Sequence, residues 1–75
     1  NIKRDLEFII KSQSPDKISL TVHPFIYAYF KKGMWNLLMQ WRKEFGKWLR
    51  LHQDNSYHMM QYKFYDDNDE EIRLS

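Results

Sequence analysis

The 75-residue chain contains no cysteine, only two glycines and only two prolines. The absence of cysteine excludes disulfide bonds and thiolate metal sites, and it is typical of a cytoplasmic protein, which is the location we expect. The scarcity of glycine excludes glycine-rich phosphate loops and nucleophile elbows. No apolar run is long enough to span a bilayer, so we expect no membrane partner.

What the chain does contain is material for a core, since 43% of its residues are hydrophobic and 17% are aromatic. Its charge is uneven: residues 1–65 hold 11 Lys/Arg against 5 Asp/Glu, and residues 66–75 hold 1 against 5. The body is therefore basic and the tail acidic, which permits contact with nucleic acid. A helical pattern begins directly at Asn1, so we expect residues 1–75 to be one small domain of a longer chain.

The stretch 17–30 organises the rest of the sequence. Ile18, Leu20 and Val22 alternate with polar residues, which indicates a strand with one buried face. Pro24 cannot continue a strand but suits the first turn of a helix, so we expect a strand before it and a helix after it.

The remaining pattern predicts a helix over 1–12, a helix from Pro24 that is capped at Gly33, and a second helix from Met34 to a cap at Gly46. A single kinked helix through Gly33 is the alternative. Strands are predicted over 47–52, 57–65 and 71–74. The order α-β-α-α-β-β-(β) indicates an α+β fold, in which helices cover one face of a three- to four-stranded, mostly antiparallel sheet.

The periodicity also predicts which side chains are buried and which remain available for contacts. The predicted core consists of Ile18, Leu20, Val22, Leu38, Trp41, Leu49, Leu51, Tyr62 and Phe64. Apolar residues outside these stripes favour a subunit or interdomain interface. The predicted interface residues are Trp35, Met39, Trp48, Met59 and Tyr65.

The histidines and the acidic run are the residues of this chain that could form a metal site. His52 and His58 flank a turn and could face each other across a hairpin, but a zinc site needs three or four convergent ligands, so we expect no metal site. We expect His23 to bond to a backbone group at the strand end. The acidic run 66–71 lacks the glycine and the ligand spacing of a calcium loop, and we interpret it as a solvated hairpin turn.

Basic side chains lie close in sequence to tryptophan and tyrosine. Because cations hold phosphates and aromatic rings stack on unpaired bases, this combination favours RNA binding. The alternative is that the tryptophans belong to the core or to an interface. The candidate RNA-binding residues are Lys31, Lys32, Arg42, Lys43, Lys47 and Arg50.

The residue order resembles a known family. The segments K-I-S-L-T-V-H-P-F-I-Y-A-Y-F-K-K-G (17–33), K-E-F-G-K-W-L-R-L (43–51) and Y-H-M-M-Q-Y-K-F-Y (57–65) are similar to the C-terminal small domain of bacterial ribonuclease E/G. In that family a strand that ends in proline leads into a helix, and an aromatic-glycine pair closes the next helix before a strand. Here these positions are Pro24, Phe45 and Gly46. The ending resembles the ribonuclease G form found in Bacteroidetes.

The resemblance implies a non-catalytic domain of a magnesium-dependent endoribonuclease that cuts single-stranded RNA. In the family, the catalytic carboxylates and a paired-cysteine zinc link lie upstream, so magnesium and zinc are expected only in the parent's upstream domains, with no cofactor in this chain. The small domain helps to assemble the oligomer, which implies self-association or contact with the catalytic body. The alternatives are a stand-alone module that binds single-stranded RNA and a structural adaptor without an RNA role.

Overall fold

The computed structural model describes residues 2–13 and 15–74, and for residues 33–38 it describes the backbone alone. The chain forms an α+β domain, which confirms the predicted fold class. Within these described residues, three α-helices, one π-helical turn and four strands follow each other. They are α1 (Ile2–Gln13), β1 (Lys17–Val22), α2 (Pro24–Tyr29), the π turn (Phe30–Met34), α3 (Trp35–Phe45), β2 (Trp48–Gln53), β3 (Tyr62–Tyr65) and β4 (Glu71–Ile72).

The junction between β1 and α2 is built as the sequence predicted. Pro24 occupies the first turn of α2, and His23 is its N-cap residue in an extended conformation. The Nδ1 atom of His23 accepts a hydrogen bond of 3.0 Å from the backbone N–H of Phe25. This bond satisfies one of the donors that a helix start leaves without an intrahelical partner.

The two predicted glycine caps had different outcomes. Gly46 ends α3 with a positive φ of 66°, and its N–H donates to the carbonyl of Arg42 at 2.9 Å, which confirms the second cap. The prediction that Gly33 is a cap is wrong, because Gly33 lies inside the π turn. A π turn accommodates an extra residue without ending the helix. Helical backbone therefore continues from α2 into α3.

The strand order in the sheet is β2-β1-β3-β4. β1 pairs with β2 in parallel, whereas the β1–β3 and β3–β4 pairs are antiparallel. Parallel neighbours require a crossover connection, and the helical segment from α2 to α3 provides it. The idea that His52 and His58 face each other across a hairpin is wrong, because β1 lies between β2 and β3.

The third strand is much shorter than the predicted span 57–65. Two successive turns occupy the segment before it. In the first, the Asp54 carboxylate accepts hydrogen bonds from the backbone N–H and the hydroxyl of Ser56. In the second, the N–H of Gln61 donates to the carbonyl of His58, and the Gln61 side chain accepts from the His58 N–H. These local bonds compete with the sheet ladder, so β3 begins only at Tyr62.

The shorter strand changes the position of the two methionines that precede it. Alternation over 57–65 predicts that Met60 lies on the same face as Tyr62 and Phe64, and that Met59 lies on the same face as Tyr65. Both placements are wrong, since Met59 and Met60 lie in the turns and Met60 is 82% exposed.

The core lies between the helices and one face of the sheet. Most of the predicted core is confirmed, although Leu51 and Tyr62 are only half-buried. The side chain of Leu38 lies outside the described residues. The core cluster also draws on α1, the π turn and β4. Its buried members are Leu6, Ile9, Ile18, Leu20, Val22, Phe30, Trp41, Leu49, Phe64 and Ile72.

The acidic turn between β3 and β4 has a structural role. One oxygen of Asp66 accepts hydrogen bonds from the backbone N–H groups of Asn68 and Glu70. The Asp67 carboxylate reaches the start of β1, where it accepts a hydrogen bond of 2.7 Å from the N–H of Lys17. The predicted turn is thus tied to the central strand. No helix in the described part of the chain is long and apolar enough to cross a membrane.

Candidate functional site

The sheet face opposite the core is not covered by the helices, whose buried residues all join the core cluster. We call this surface the open face. Every side chain that the strand register places on it is exposed or half-buried. The open face consists of Lys17, Ser19 and Thr21 from β1, Trp48, Arg50 and His52 from β2, Lys63 and Tyr65 from β3, and Glu71 from β4.

The register arranges these residues in rows across the strands. Ser19 lies between Arg50 on one side and Tyr65 on the other. Thr21 lies in the same way between His52 and Lys63. Because β1 supplies small side chains between longer ones, the middle of the open face is lower than its sides.

Trp48 marks the edge of the open face and is 51% exposed. The Arg42 guanidinium carbon lies 4.5 Å from the centroid of the Trp48 ring. Nε and a terminal nitrogen of Arg42 both donate to the carbonyl of Leu49, at 2.9 and 2.5 Å. Arg42 is therefore fixed by the β2 backbone and supports one side of the indole.

A shallow depression adjoins Trp48, and we call it the basic cleft. It brings Arg42, Lys43 and Lys47 together, which are three of the six candidate RNA-binding residues. Arg50, a fourth, lies on the open face two positions beyond Trp48. The cleft is lined by Asp16, Met39, Gln40, Arg42, Lys43, Gly46, Lys47 and Trp48.

The other predicted residues are dispersed. Lys31 and Lys32 lie in the π turn, at the opposite end of α3 from Arg42, and Lys31 is positioned over the ring of Tyr27. Among the predicted interface residues, Met39 joins Trp48 in the basic cleft, and Tyr65 lies on the open face. The prediction for Trp35 concerns a side chain outside the described residues.

Sequence reasoning missed Lys17, Lys63 and Tyr57 as members of this surface. The Nζ of Lys63 lies 5.8 Å from the ring centroid of Tyr57 and 3.9 Å from a carboxylate oxygen of Glu71. The Tyr57 and Tyr65 hydroxyls are 3.4 Å apart. Burial, with a smaller effect from Tyr65, raises the pKa of Tyr57. These residues meet only because β1 pairs with both β2 and β3. The residue pattern within a single strand does not reveal that pairing.

A second surface lies on the opposite, helical side. There an apolar groove of about 490 Å³ opens between the start of α1, the α2–π segment and the turns before β3. Its lining includes Ile2, Ile26, Tyr29, Met59 and Met60. Met59 is therefore separated from Trp48 and Tyr65, with which it was grouped as an interface residue.

Tyr62 also lines the apolar groove and links it to α1. Its hydroxyl donates a hydrogen bond to the carboxylate of Asp5. Burial first, and then this hydrogen bond and the charge of Asp5, raise the pKa of Tyr62 to about 12. The phenol therefore stays protonated to higher pH than an ordinary tyrosine and keeps its donor for the hydrogen bond between β3 and α1.

The described residues contain no cluster of three or more side chains of the types that bind metal ions. Comparison of the chain with protein-family models, with curated proteins and with solved structures found no match in any of the three.

Proposed function

We propose that this chain is the non-catalytic C-terminal domain of a ribonuclease E/G-like endoribonuclease and that it supports subunit assembly. The family is inferred from the resemblance of the sequence. The strand–His23–Pro24–helix junction and the Phe45–Gly46 pair before β2 support it, because they occur in the elements where the resemblance expects them. The parent's role would be RNA processing and decay.

The observation that carries the assembly role is the apolar groove with its exposed rim. Met60 is 82% exposed, and Met59 and Tyr29 are 48% and 60% exposed. Apolar and aromatic side chains gathered around a concave surface are typical of interfaces, where methionine and aromatic residues are enriched. The partner is a second subunit or the catalytic body of the parent.

The apolar groove fits an assembly role better than the open face does. Two copies that met through their open faces would bring two basic surfaces together, each with Lys17 and Arg50 exposed. Like charges at an interface oppose association. The groove has little charge along its lining, with Lys3 as its basic residue.

The experiment is sedimentation equilibrium of the 75-residue chain over a range of concentrations. We expect the wild type to self-associate and Met59→Glu/Met60→Glu to weaken association at least tenfold, because two carboxylates would be desolvated at the contact. Met39→Glu is the matched control, since Met39 is similarly exposed at 46% but lies in the basic cleft.

Three results would contradict parts of this proposal. If Met39→Glu or Trp48→Glu weakens association while the double variant does not, the interface includes the basic cleft instead of the apolar groove. A wild type that stays monomeric at high concentration contradicts self-association. Magnesium-dependent cleavage of single-stranded RNA by the purified chain would contradict the non-catalytic role.

A further inference from the structure

The surface on the other side of the sheet from the apolar groove combines three features: positive charge, aromatic rings and a low centre. The residues that form the open face and line the basic cleft include six basic side chains and two carboxylates, and the Asp67 carboxylate lies next to them at the N–H of Lys17. The basic residues are Lys17, Arg42, Lys43, Lys47, Arg50 and Lys63, and the acidic ones are Asp16 and Glu71. One of the acids, Glu71, is already paired with Lys63. The remaining excess of positive charge suits a polyanion.

The aromatic residues give this surface a chemistry beyond charge. Trp48 is half-exposed, and Arg42 holds one side of its ring in a fixed position through the two hydrogen bonds to Leu49. A ring that is already ordered loses little conformational entropy when a ligand stacks on it. Tyr65 provides a second ring on β3, two strands away from Trp48.

We propose that the open face and the basic cleft bind single-stranded nucleic acid. The phosphates lie along Lys17, Arg50 and the cations of the cleft, while an unpaired base stacks on Trp48. Ser19 and Thr21 leave room for the strand along the middle of the sheet. Tyr65 provides the second stacking position.

The chemistry distinguishes this ligand from other polyanions. An acidic peptide without aromatic side chains would use the cations but would leave the two rings without a stacking partner. A duplex would offer phosphates, but its bases are already stacked on each other and cannot reach Trp48. A single strand satisfies both the cations and the rings, because unpaired bases stack on aromatic side chains regardless of sequence.

The proposal is independent of the assembly role, because the open face and the apolar groove lie on opposite sides of the sheet. Loss of nucleic-acid binding in a variant of the open face should leave sedimentation unchanged. Loss of association in the groove variants should leave nucleic-acid binding by each copy in place. Each proposal can therefore be contradicted by experiment without contradicting the other.

The experiment is a titration of the full 75-residue chain with a fluorescein-labelled oligouridylate, followed by anisotropy at low salt. We expect binding that weakens steeply as salt increases, because phosphate contacts release counterions. Trp48→Ala should weaken it about 5- to 150-fold, the range for loss of one base–aromatic stack. The double variant Lys17→Glu/Arg50→Glu should weaken it more than tenfold.

Matched controls distinguish binding at the open face from general attraction between nucleic acid and a basic protein. The double variant Lys11→Glu/Lys32→Glu makes the same change of charge at exposed positions on α1 and the π turn, and it should change binding less than threefold. Circular dichroism of each variant should match the wild type, since all the altered positions except Trp48 are exposed charges and Trp48 is half-exposed.

Several outcomes would overturn the proposal. They are no binding of the oligouridylate at low salt, equal losses for Lys11→Glu/Lys32→Glu and for Lys17→Glu/Arg50→Glu, and unchanged affinity in Trp48→Ala. Equal affinity for a duplex or for polyglutamate of the same charge would also overturn it, because it would show that charge alone determines binding.

Discussion

The guanidinium of Arg42 lies over the indole ring of Trp48 and donates two hydrogen bonds to the carbonyl of Leu49. β2 is an edge strand, and the N–H of Trp48 faces β1, where it donates to Asp16. Since successive backbone groups along a strand alternate in direction, the carbonyl of Leu49 faces away from the sheet. Arg42 therefore satisfies an edge acceptor that would otherwise be available to another strand.

We expect Arg42→Ala to lower the free energy of unfolding by about 1–3 kcal/mol, because it leaves the part-buried carbonyl of Leu49 without its donor. Lys43→Ala is the matched control: Lys43 is an exposed neighbour, and its loss should change stability by less than about 0.5 kcal/mol. Arg42→Lys should fall between them, since an ammonium cannot reproduce the fork of two donors. Urea unfolding followed by circular dichroism measures all three. Equal stability of Arg42→Ala and Lys43→Ala would contradict a stabilising role for the hydrogen bonds from Arg42 to the Leu49 carbonyl.

The local parts of this fold could be predicted from the sequence. Alternation in 17–22, the proline after it and the glycine at position 46 each act within a few residues, and the structure contains β1, α2 and the α3 cap as predicted. The strand order could not be predicted, because a period of two is the same in parallel and antiparallel strands. The residues that form the open face could therefore be predicted only in part from the sequence.

The segment before β3 shows how side-chain bonds override a pattern. Residues 57–65 alternate well enough for a long strand. The Asp54 carboxylate and the Gln61 amide instead form local hydrogen bonds that hold two turns. The apolar groove was missed for this reason, since its rim depends on Met59 and Met60 lying outside the sheet.

The N-cap of α2 gives a prediction at the strand–helix junction. His23→Ala should lower the free energy of unfolding by about 0.5–2 kcal/mol, the usual cost of losing a side-chain cap, because Phe25 N–H loses its acceptor. His23→Asn should restore most of this stability, since its side-chain oxygen can accept the same hydrogen bond. His52→Ala is the control, because His52 is an exposed histidine on the open face. A His23→Ala variant as stable as His52→Ala would show that the hydrogen bond has no net effect.

The central strand provides the largest expected effect on stability. Leu20 is buried at the middle of β1, with Leu51 and Phe64 as its partners on the two neighbouring strands. Leu20→Ala should cost roughly 2–5 kcal/mol, because the lost side chain leaves a cavity. Thr21→Ala, the next residue and on the open face, should cost much less. The midpoint of urea unfolding measures both, and similar midpoints would show that the core does not include this face of β1.

The last prediction concerns stability at alkaline pH. The pKa of Tyr62 is raised to about 12 in the folded chain, first by burial and then by its hydrogen bond to Asp5. The unfolded chain has the ordinary value of about 10. Between these values the folded state keeps a proton that the unfolded state releases, so the stability that this group contributes is complete below about pH 10 and falls as the pH rises toward about 12. The raised pKa of Tyr57 acts in the same direction.

We therefore expect the free energy of unfolding of the wild type to fall more steeply with alkaline pH than that of Tyr62→Phe, measured by urea unfolding at matched pH values. The comparison with the variant removes the contribution of lysine titration, which both chains share. Asp5→Asn should lower the pKa of Tyr62 while leaving the phenol in place, and tyrosinate absorbance follows this shift directly. Parallel pH profiles for the wild type and Tyr62→Phe would mean that the contact between α1 and β3 does not hold the phenolic proton, and the link between Asp5 and Tyr62 would then contribute nothing to alkaline stability.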